Sequence, residues 1–402
     1  MSYGVRSSFG AFISPWETEF GVGRTIVTTI SMLSFIVIAV AQPFTGKLND
    51  IFGKGIVPTF GVFLVGITIF LTSRTTQIWQ ILLVYGVGFS IGVACCTNSV
   101  VASITTSWFV KKRGFALGLA TSGMAVGQLI LVPVNLFIIG RFGWSAAFMV
   151  MGLVILVILG PVFIFLMRSR PEEKGLKPYG YVRCEDEGGL SGNTALNAKK
   201  TLSVIGILKV KAFWWICIPY FICGFTDVGL IQTHLIPMSQ GRGFPSSTVA
   251  LTISLIAFAN IAGTIGTGYL SDHLNRRRQL MVIFAVRALS ILFLIFIRQA
   301  WLLYPFAIVF GLTEMATIAP VSSMSIEIFD KYSPGVVLGV ITLSHKLGGS
   351  VGSWIPGILF DLTGSYNTIF IFSIFLLVSA SLFSMRIPEV DKKKSLGDGA
   401  SV

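Results

Sequence analysis

Apolar runs of about 20 residues, the length a helix needs to cross a bilayer, predict spans near residues 25–45, 56–73, 78–107, 114–139, 144–167, 212–238, 248–271, 279–297, 301–326, 334–360 and 368–386. These are eleven full spans, and a shorter apolar piece, residues 1–15, precedes them. Between the fifth and sixth lies a polar stretch, residues 169–210, with Pro171, Gly188, Gly189, Gly192 and the run Glu185-Asp186-Glu187. It is too hydrophilic to span. The expected organisation is an N-terminal helix bundle (1–168), a linker (169–210), a C-terminal bundle (211–387) and a tail (388–402).

Composition restricts the class further. Hydrophobic residues make up 53% of the 402 and charged residues only 12%, with a mean hydropathy of +0.82. Soluble domains carry about 25% charged residues, so a cytosolic enzyme, a secreted disulfide module and a disordered chain are all excluded. The 43 glycines suit close packing of membrane helices. The five cysteines show no zinc-like spacing and read as small buried apolar groups. In a soluble protein the net charge of +13 would suggest nucleic acid as a partner. Here 22 of the Lys and Arg residues fall on one side of the spans, in 46–55, 110–113, 168–211, 276–278, Lys331 and 386–394, and five on the other. By the positive-inside rule the richer side is cytoplasmic. The linker and C-terminal tail are therefore expected in the cytoplasm, the partner is the bilayer of the cell membrane, and nucleic acid is not implicated. No Walker loop, HExxH or Gly-x-Ser-x-Gly elbow stands in a context that would use it. No enzyme activity, cofactor or metal site is expected.

One motif occurs twice. Gly46-Lys47-Leu48-Asn49-Asp50-Ile51-Phe52-Gly53 and Gly268-Tyr269-Leu270-Ser271-Asp272-His273-Leu274-Asn275-Arg276 both follow the second span of their half, 222 residues apart. A repeat of half the chain suggests two six-helix bundles related by an axis along the membrane normal. These paired turns resemble the signature loop of the major facilitator superfamily. Trp108-Phe109-Val110-Lys111-Lys112-Arg113-Gly114-Phe115-Ala116-Leu117-Gly118 looks like a motif of monocarboxylate porters. Gly4-Val5-Arg6-Ser7-Ser8-Phe9-Gly10 and Gly357-Ile358-Leu359-Phe360-Asp361-Leu362-Thr363-Gly364-Ser365-Tyr366 are similar to segments of bacterial monocarboxylate and oxalate/formate porters. The resemblance implies an all-α major facilitator fold with two pseudo-symmetric six-helix bundles, a monomer, and secondary transport by alternating access. It also implies a cytoplasmic latch at Gly46, Asp50, Gly53, Gly268, Asp272 and Arg276. Measured against the repeat, the first span is expected to lack its cytoplasmic half, roughly 15 Å of helix.

Ionisable residues inside spans cost several kcal/mol unless paired or hydrated, so each is a functional candidate. Arg6 lies ten residues before Trp16, near mid-membrane, and the 222-residue offset brings Asp227 to almost the same depth. Together with Glu314, the resemblance places them on the cavity; the alternative is an Arg6–Asp227 ion pair that only joins the bundles. Lys346, beside His345, matches a lysine that receives the substrate carboxylate in oxalate/formate porters. The alternative is a snorkelling lysine or one paired with Glu314. Arg287 falls on a helix that is peripheral in the family, so a structural ion pair with Glu314 is expected. His234 reads as a packing residue near the external mouth or, alternatively, a proton relay. Gln128 and Asn260 are further candidates for substrate contact, as are Asn98, Asn135 and Gln232, although most buried amides merely join helices. The chain departs from the family at one point: where monocarboxylate porters carry an arginine, Asn260-Ile261-Ala262-Gly263-Thr264 has Thr264. Either Arg6 and Lys346 replace that anchor or the solute is not a simple monocarboxylate. Three cations against two acids leave one surplus positive charge to be met by an anion. The leading expectation is a carrier of a small organic anion, coupled to protons or working by exchange. The alternatives are a carrier of a neutral or cationic solute and a non-transporting sensor.

Overall fold

The computed structural model describes residues 2–52, 55–97, 104–105, 108–109, 113–166, 179 and 204–388. Twelve membrane-scale helices account for most of these. α1 is Ser2–Ser7 continued, after a break at Ser8, by Phe9–Phe20. α2 is Arg24–Phe52, α3 Ile56–Thr72 and α4 Ile78–Cys95. The stretch 113–166 divides at Gly143, whose φ of 82° and ψ of 169° no helix can accommodate and which glycine tolerates best. This gives α5 (113–142) and α6 (144–166). In the second half follow α7 (Lys211–Gly241), α8 (Ser246–His273), α9 (Arg276–Phe296), α10 (Ala300–Ile328), α11 (Pro334–Thr363) and α12 (Asn367–Ser384). Each of the eleven predicted spans falls on one of these helices. The linker apart from Tyr179 and 204–210, and the tail beyond 388, lie outside the described residues.

Local chemistry sets the helix ends. α11 starts on Pro334, whose fixed φ suits a first helical turn, and stops at Gly364 in the left-handed region (φ 67°). Asn275 caps α9 by accepting from the backbone N–H groups of Arg277 (3.1 Å) and Arg278 (3.3 Å). Two elements differ from the expected rods. α4 ends at Cys95, with Cys96 out of helical geometry (φ −112°, ψ 28°), and 98–103 and 106–107 lie outside the described residues. α10 is broken: Leu303–Glu314 stops, Met315 leaves helical geometry (φ −99°, ψ 5°), and Ile318–Ile328 resumes. Among the described residues, eight stretches are long and apolar enough by themselves to cross a membrane. α11, at 30 residues, is not among them, because His345, Lys346 and a run of Gly and Ser dilute its centre.

The two bundles meet most tightly on the face away from the basic segments. There α2 packs along α11, and α1 packs along the second half of α7, where a Cβ on Gly10 would stand 2.7 Å from the Thr233 carbonyl. Within the C-terminal bundle, glycine brings α7 and α11 into backbone contact. A side chain on Gly224 would overlap the His345 carbonyl, and one on Gly348 the Phe221 carbonyl. This close approach holds Asp227 and Lys346 in fixed relation.

Candidate functional site: a charged cavity under a closed outer gate

Between the bundles lies a cavity of about 440 Å³. Its walls reach Gln42, Pro58, Thr97 and Ala120, a few residues from the basic segments 46–55 and 110–113. Arg6 of α1, Asp227 of α7, Glu314 of α10 and His345 and Lys346 of α11 all line it.

Arg6 projects from a helix loosened at Ser8, whose hydroxyl turns back to the Gly4 carbonyl (2.9 Å) and accepts from Asn135 Nδ2 (2.9 Å). The guanidinium stacks over Phe35 (4.6 Å to the ring centre) and Tyr3 (5.4 Å). Such a contact holds the planar cation while leaving its N–H edge available. Among the described residues, neither Arg6 nor Lys346 has a carboxylate within 4.0 Å. The alternative of a fixed Arg6–Asp227 or Lys346–Glu314 pair therefore does not describe this conformation.

The acids are differently placed. Glu314 accepts from Gln232 Nε2 and from Asn260 Nδ2, both at 2.7 Å. Gln232 also donates to the Tyr3 hydroxyl across the bundle interface (2.6 Å). Asp227 sits in a π-helical turn, Phe225–Ile231, a distortion that recurs at functional sites. It shares the cavity wall with Glu314, and its Oδ1 is buried without a partner.

Arg287 is fully buried and lies behind the cavity wall. It does not pair with the Glu314 carboxylate. Its Nη2 donates to the main-chain carbonyls of Thr313 and, at 2.8 Å, Glu314, and Nη1 donates to Cys223 Sγ (3.0 Å). The break in α10 orphans those carbonyls, and inside a membrane only protein groups can satisfy them. The expected ion pair is thus replaced by a cap on a broken helix.

Gln128, Asn260 and Thr264 are not part of the cavity wall. Gln128 is buried with Oε1 unpartnered, Asn260 orients Glu314, and Thr264 donates to Asn260 Oδ1 (3.0 Å). The latch residues are only partly visible. Gly53 and the side chains of Asp50 and Asp272 lie outside the described residues, as does Asn98. Gly46 and Gly268 face open space. Arg276 pairs with Glu327 of α10 (2.5 Å), within one bundle.

A second cluster went unassigned in the sequence. On the face away from the basic segments, called the outer face below, the Asp361 carboxylate of α11 accepts from the backbone N–H groups of Arg24 (2.9 Å) and Thr25 (2.8 Å) and from the Thr25 hydroxyl (2.6 Å). One bundle thereby caps the N-terminus of a helix in the other. Arg24 forms a bidentate pair with Glu17 (2.6 and 2.8 Å), donates to the Tyr366 hydroxyl (2.9 Å) and lies 3.8 Å from the centre of the Phe360 ring. Burial raises the Tyr366 hydroxyl above the ordinary phenol range, so it remains a donor. It meets His234 Nδ1 (2.9 Å), while Nε2 must donate to the Ser353 carbonyl (2.8 Å). His234 is thus a buried member of this gate. The sequence signal was the 357–366 segment.

Two helix bundles around a cavity that is sealed on one face and carries buried charge on its wall define a membrane transporter. The Major Facilitator Superfamily family model matches residues 1–353, and the chain belongs to that family, whose members are transporters, not enzymes. It is 26% identical over 97% of its length to the uncharacterized MFS-type transporter YcxA of Bacillus subtilis (strain 168), covering 92% of that protein. It is 25% identical to monocarboxylate transporter 12-B of Danio rerio, over 81% of this chain and 72% of the relative. The crystal structure of a bacterial homolog of the human lysosomal transporter Spinster, in an inward-facing and occupied conformation, superposes with a TM-score of 0.72 at 13% identity, covering 96% of this chain and 93% of that one. That likeness concerns the fold.

Proposed function

We propose that this transporter carries a small organic anion across the cell membrane by alternating access, driven by protons or by exchange, and works as a monomer. The observation that carries the reading is the pair Arg6 and Lys346. They belong to opposite bundles, line one cavity and have no carboxylate within ion-pair distance among the described residues. An unpaired cation at this depth is costly and is relieved by a mobile anion. Similarity to a monocarboxylate transporter supports the same class. With the basic segments cytoplasmic, the linker and tail are cytoplasmic and the conformation is inward-facing.

In this scheme Arg6 offers a bidentate N–H edge to the carboxylate and Lys346 a point charge. A proton taken by Asp227 or Glu314 is the coupling proton. With one proton on the acids, two cations face one negative charge, and a monoanion completes neutrality. Counterflow in proteoliposomes with labelled lactate, pyruvate, formate and oxalate tests this. Uptake of one or more, reduced at least tenfold by Arg6→Ala and by Lys346→Ala, is expected. Flux of a solute that survives both substitutions but is lost with Asp227→Asn would instead establish a neutral or cationic solute. Tight binding without any flux would establish a sensor.

A further inference from the structure

The charges occupy only part of the cavity wall. They come from α1, α7, α10 and α11, whereas α3 to α6 contribute a wall that is mainly aliphatic and aromatic: Val62, Val65, Val93, Ile155, Leu159 and Phe163 are representative. No acidic or basic side chain from α3 to α6 lines the cavity among the described residues. Its 440 Å³ falls in the range of pockets that enclose drug-sized ligands, ~300–1,000 Å³. A two- or three-carbon acid seated on Arg6 and Lys346 would leave the opposite wall against trapped water.

We infer that the preferred solute is an amphipathic monocarboxylate: a single carboxylate head held by Arg6 and Lys346, and an apolar body the size of a phenyl ring or a short alkyl chain lying against the α3–α6 wall. The inference rests on the organic-anion reading above and specifies it. The single head follows from charge. Arg287 is committed to the carbonyls of α10, so it is withdrawn from the cavity, and the two remaining cations are partly offset by the protonated acid pair. The apolar body follows from the wall, since each methylene taken out of water against it is worth about fourfold in affinity. Thr264 in place of an arginine fits the same picture, because its hydroxyl is spent on Asn260 and adds no second charge for a compact dianion.

Calorimetric titration of the full chain in lipid nanodiscs, with a nanodisc lacking protein as the partition control, tests the inference. The probes are 4-phenylbutyrate, hexanoate, acetate, oxalate and the neutral 4-phenylbutyramide. Phenylbutyrate and hexanoate are expected to bind at least tenfold more tightly than acetate or oxalate, and the amide at least tenfold more weakly than its acid. The isosteric Val62→Thr is expected to weaken phenylbutyrate severalfold and leave acetate unchanged. Acetate or oxalate binding as tightly as the longer acids overturns the amphipathic solute and leaves the organic-anion reading standing. An amide that binds as well as the acid, or no binding by any acid, overturns both.

Discussion

Replacing Asp361 with alanine should open the outer face. The carboxylate accepts three hydrogen bonds at 2.6–2.9 Å, two of them from the first N–H groups of α2. Losing an N-cap side chain costs about 0.5–2 kcal/mol, and bonds to a charged acceptor are worth about 1.5–3 kcal/mol each. Water replaces part of this at a site that is largely exposed, so about 2 kcal/mol is a reasonable net loss. The cap crosses between bundles, so it exists only while the outer face is closed. The whole loss therefore falls on the conformational equilibrium and shifts it by roughly 30-fold. A closed-to-open ratio of about 100:1 would drop to about 3:1. Thr28 reports the change, because it is completely buried and its Oγ1 stands where a side chain on Gly357 would go. In intact cells, Thr28→Cys should react slowly with an impermeant maleimide, and Asp361→Ala in the same background should raise the rate at least tenfold. Labelling within twofold of the Asp361 parent, at equal expression, would refute the trans cap as a gate.

Three structural predictions follow from the packing. Arg287→Met leaves the Thr313 and Glu314 carbonyls unsatisfied in the interior, about 1–3 kcal/mol each, so thermal unfolding in detergent should shift down by several degrees. Anion-induced stabilisation should persist, and its loss at an unchanged melting temperature would make Arg287 a ligand. Gly224→Val drives a side chain into the His345 carbonyl, and overpacking of this kind costs about 1–3 kcal/mol. Gly46→Ala, with nothing within 4 Å of its Cβ position, should leave the melting temperature unchanged.

The spans were legible because hydropathy over about 20 residues decides membrane insertion, and the break at Gly143 fell between two apolar runs. Depth was legible too, since residue count along a helix converts directly to height. Azimuth was not. Asn260 and Thr264 lie at the expected level, but a rotation of about 100° per residue turns Asn260 towards Glu314 and away from the open cavity. The break in α10 was hidden because Leu303–Ile328 is apolar on both sides of it, and with it the partners of Arg287. The outer gate joins residues more than 330 positions apart. Its signal was present in the 357–366 segment, but the contact that segment makes is a tertiary fact.

The two polar clusters share their helices, and this bears on how solute and gate communicate. α7 carries Asp227 in the cavity and His234 in the gate. α11 carries Lys346 in the cavity and Asp361 in the gate, fifteen residues or about 22 Å apart along one rod. Glycine contacts between α7 and α11 forbid one from sliding past the other without steric overlap. A tilt that draws Lys346 towards an anion held by Arg6 must therefore move Asp361 relative to the N-terminus of α2. Each end then biases the same rigid-body equilibrium, and by linkage the factor with which solute shifts gate opening equals the ratio of its affinities for the open and closed gate. Measuring maleimide reactivity of Thr28→Cys with and without 4-phenylbutyrate, in the Asp361 parent and in Asp361→Ala, puts a number on that factor. The same solute-induced factor is required in both backgrounds, and unequal factors would show that the two clusters act on separate motions.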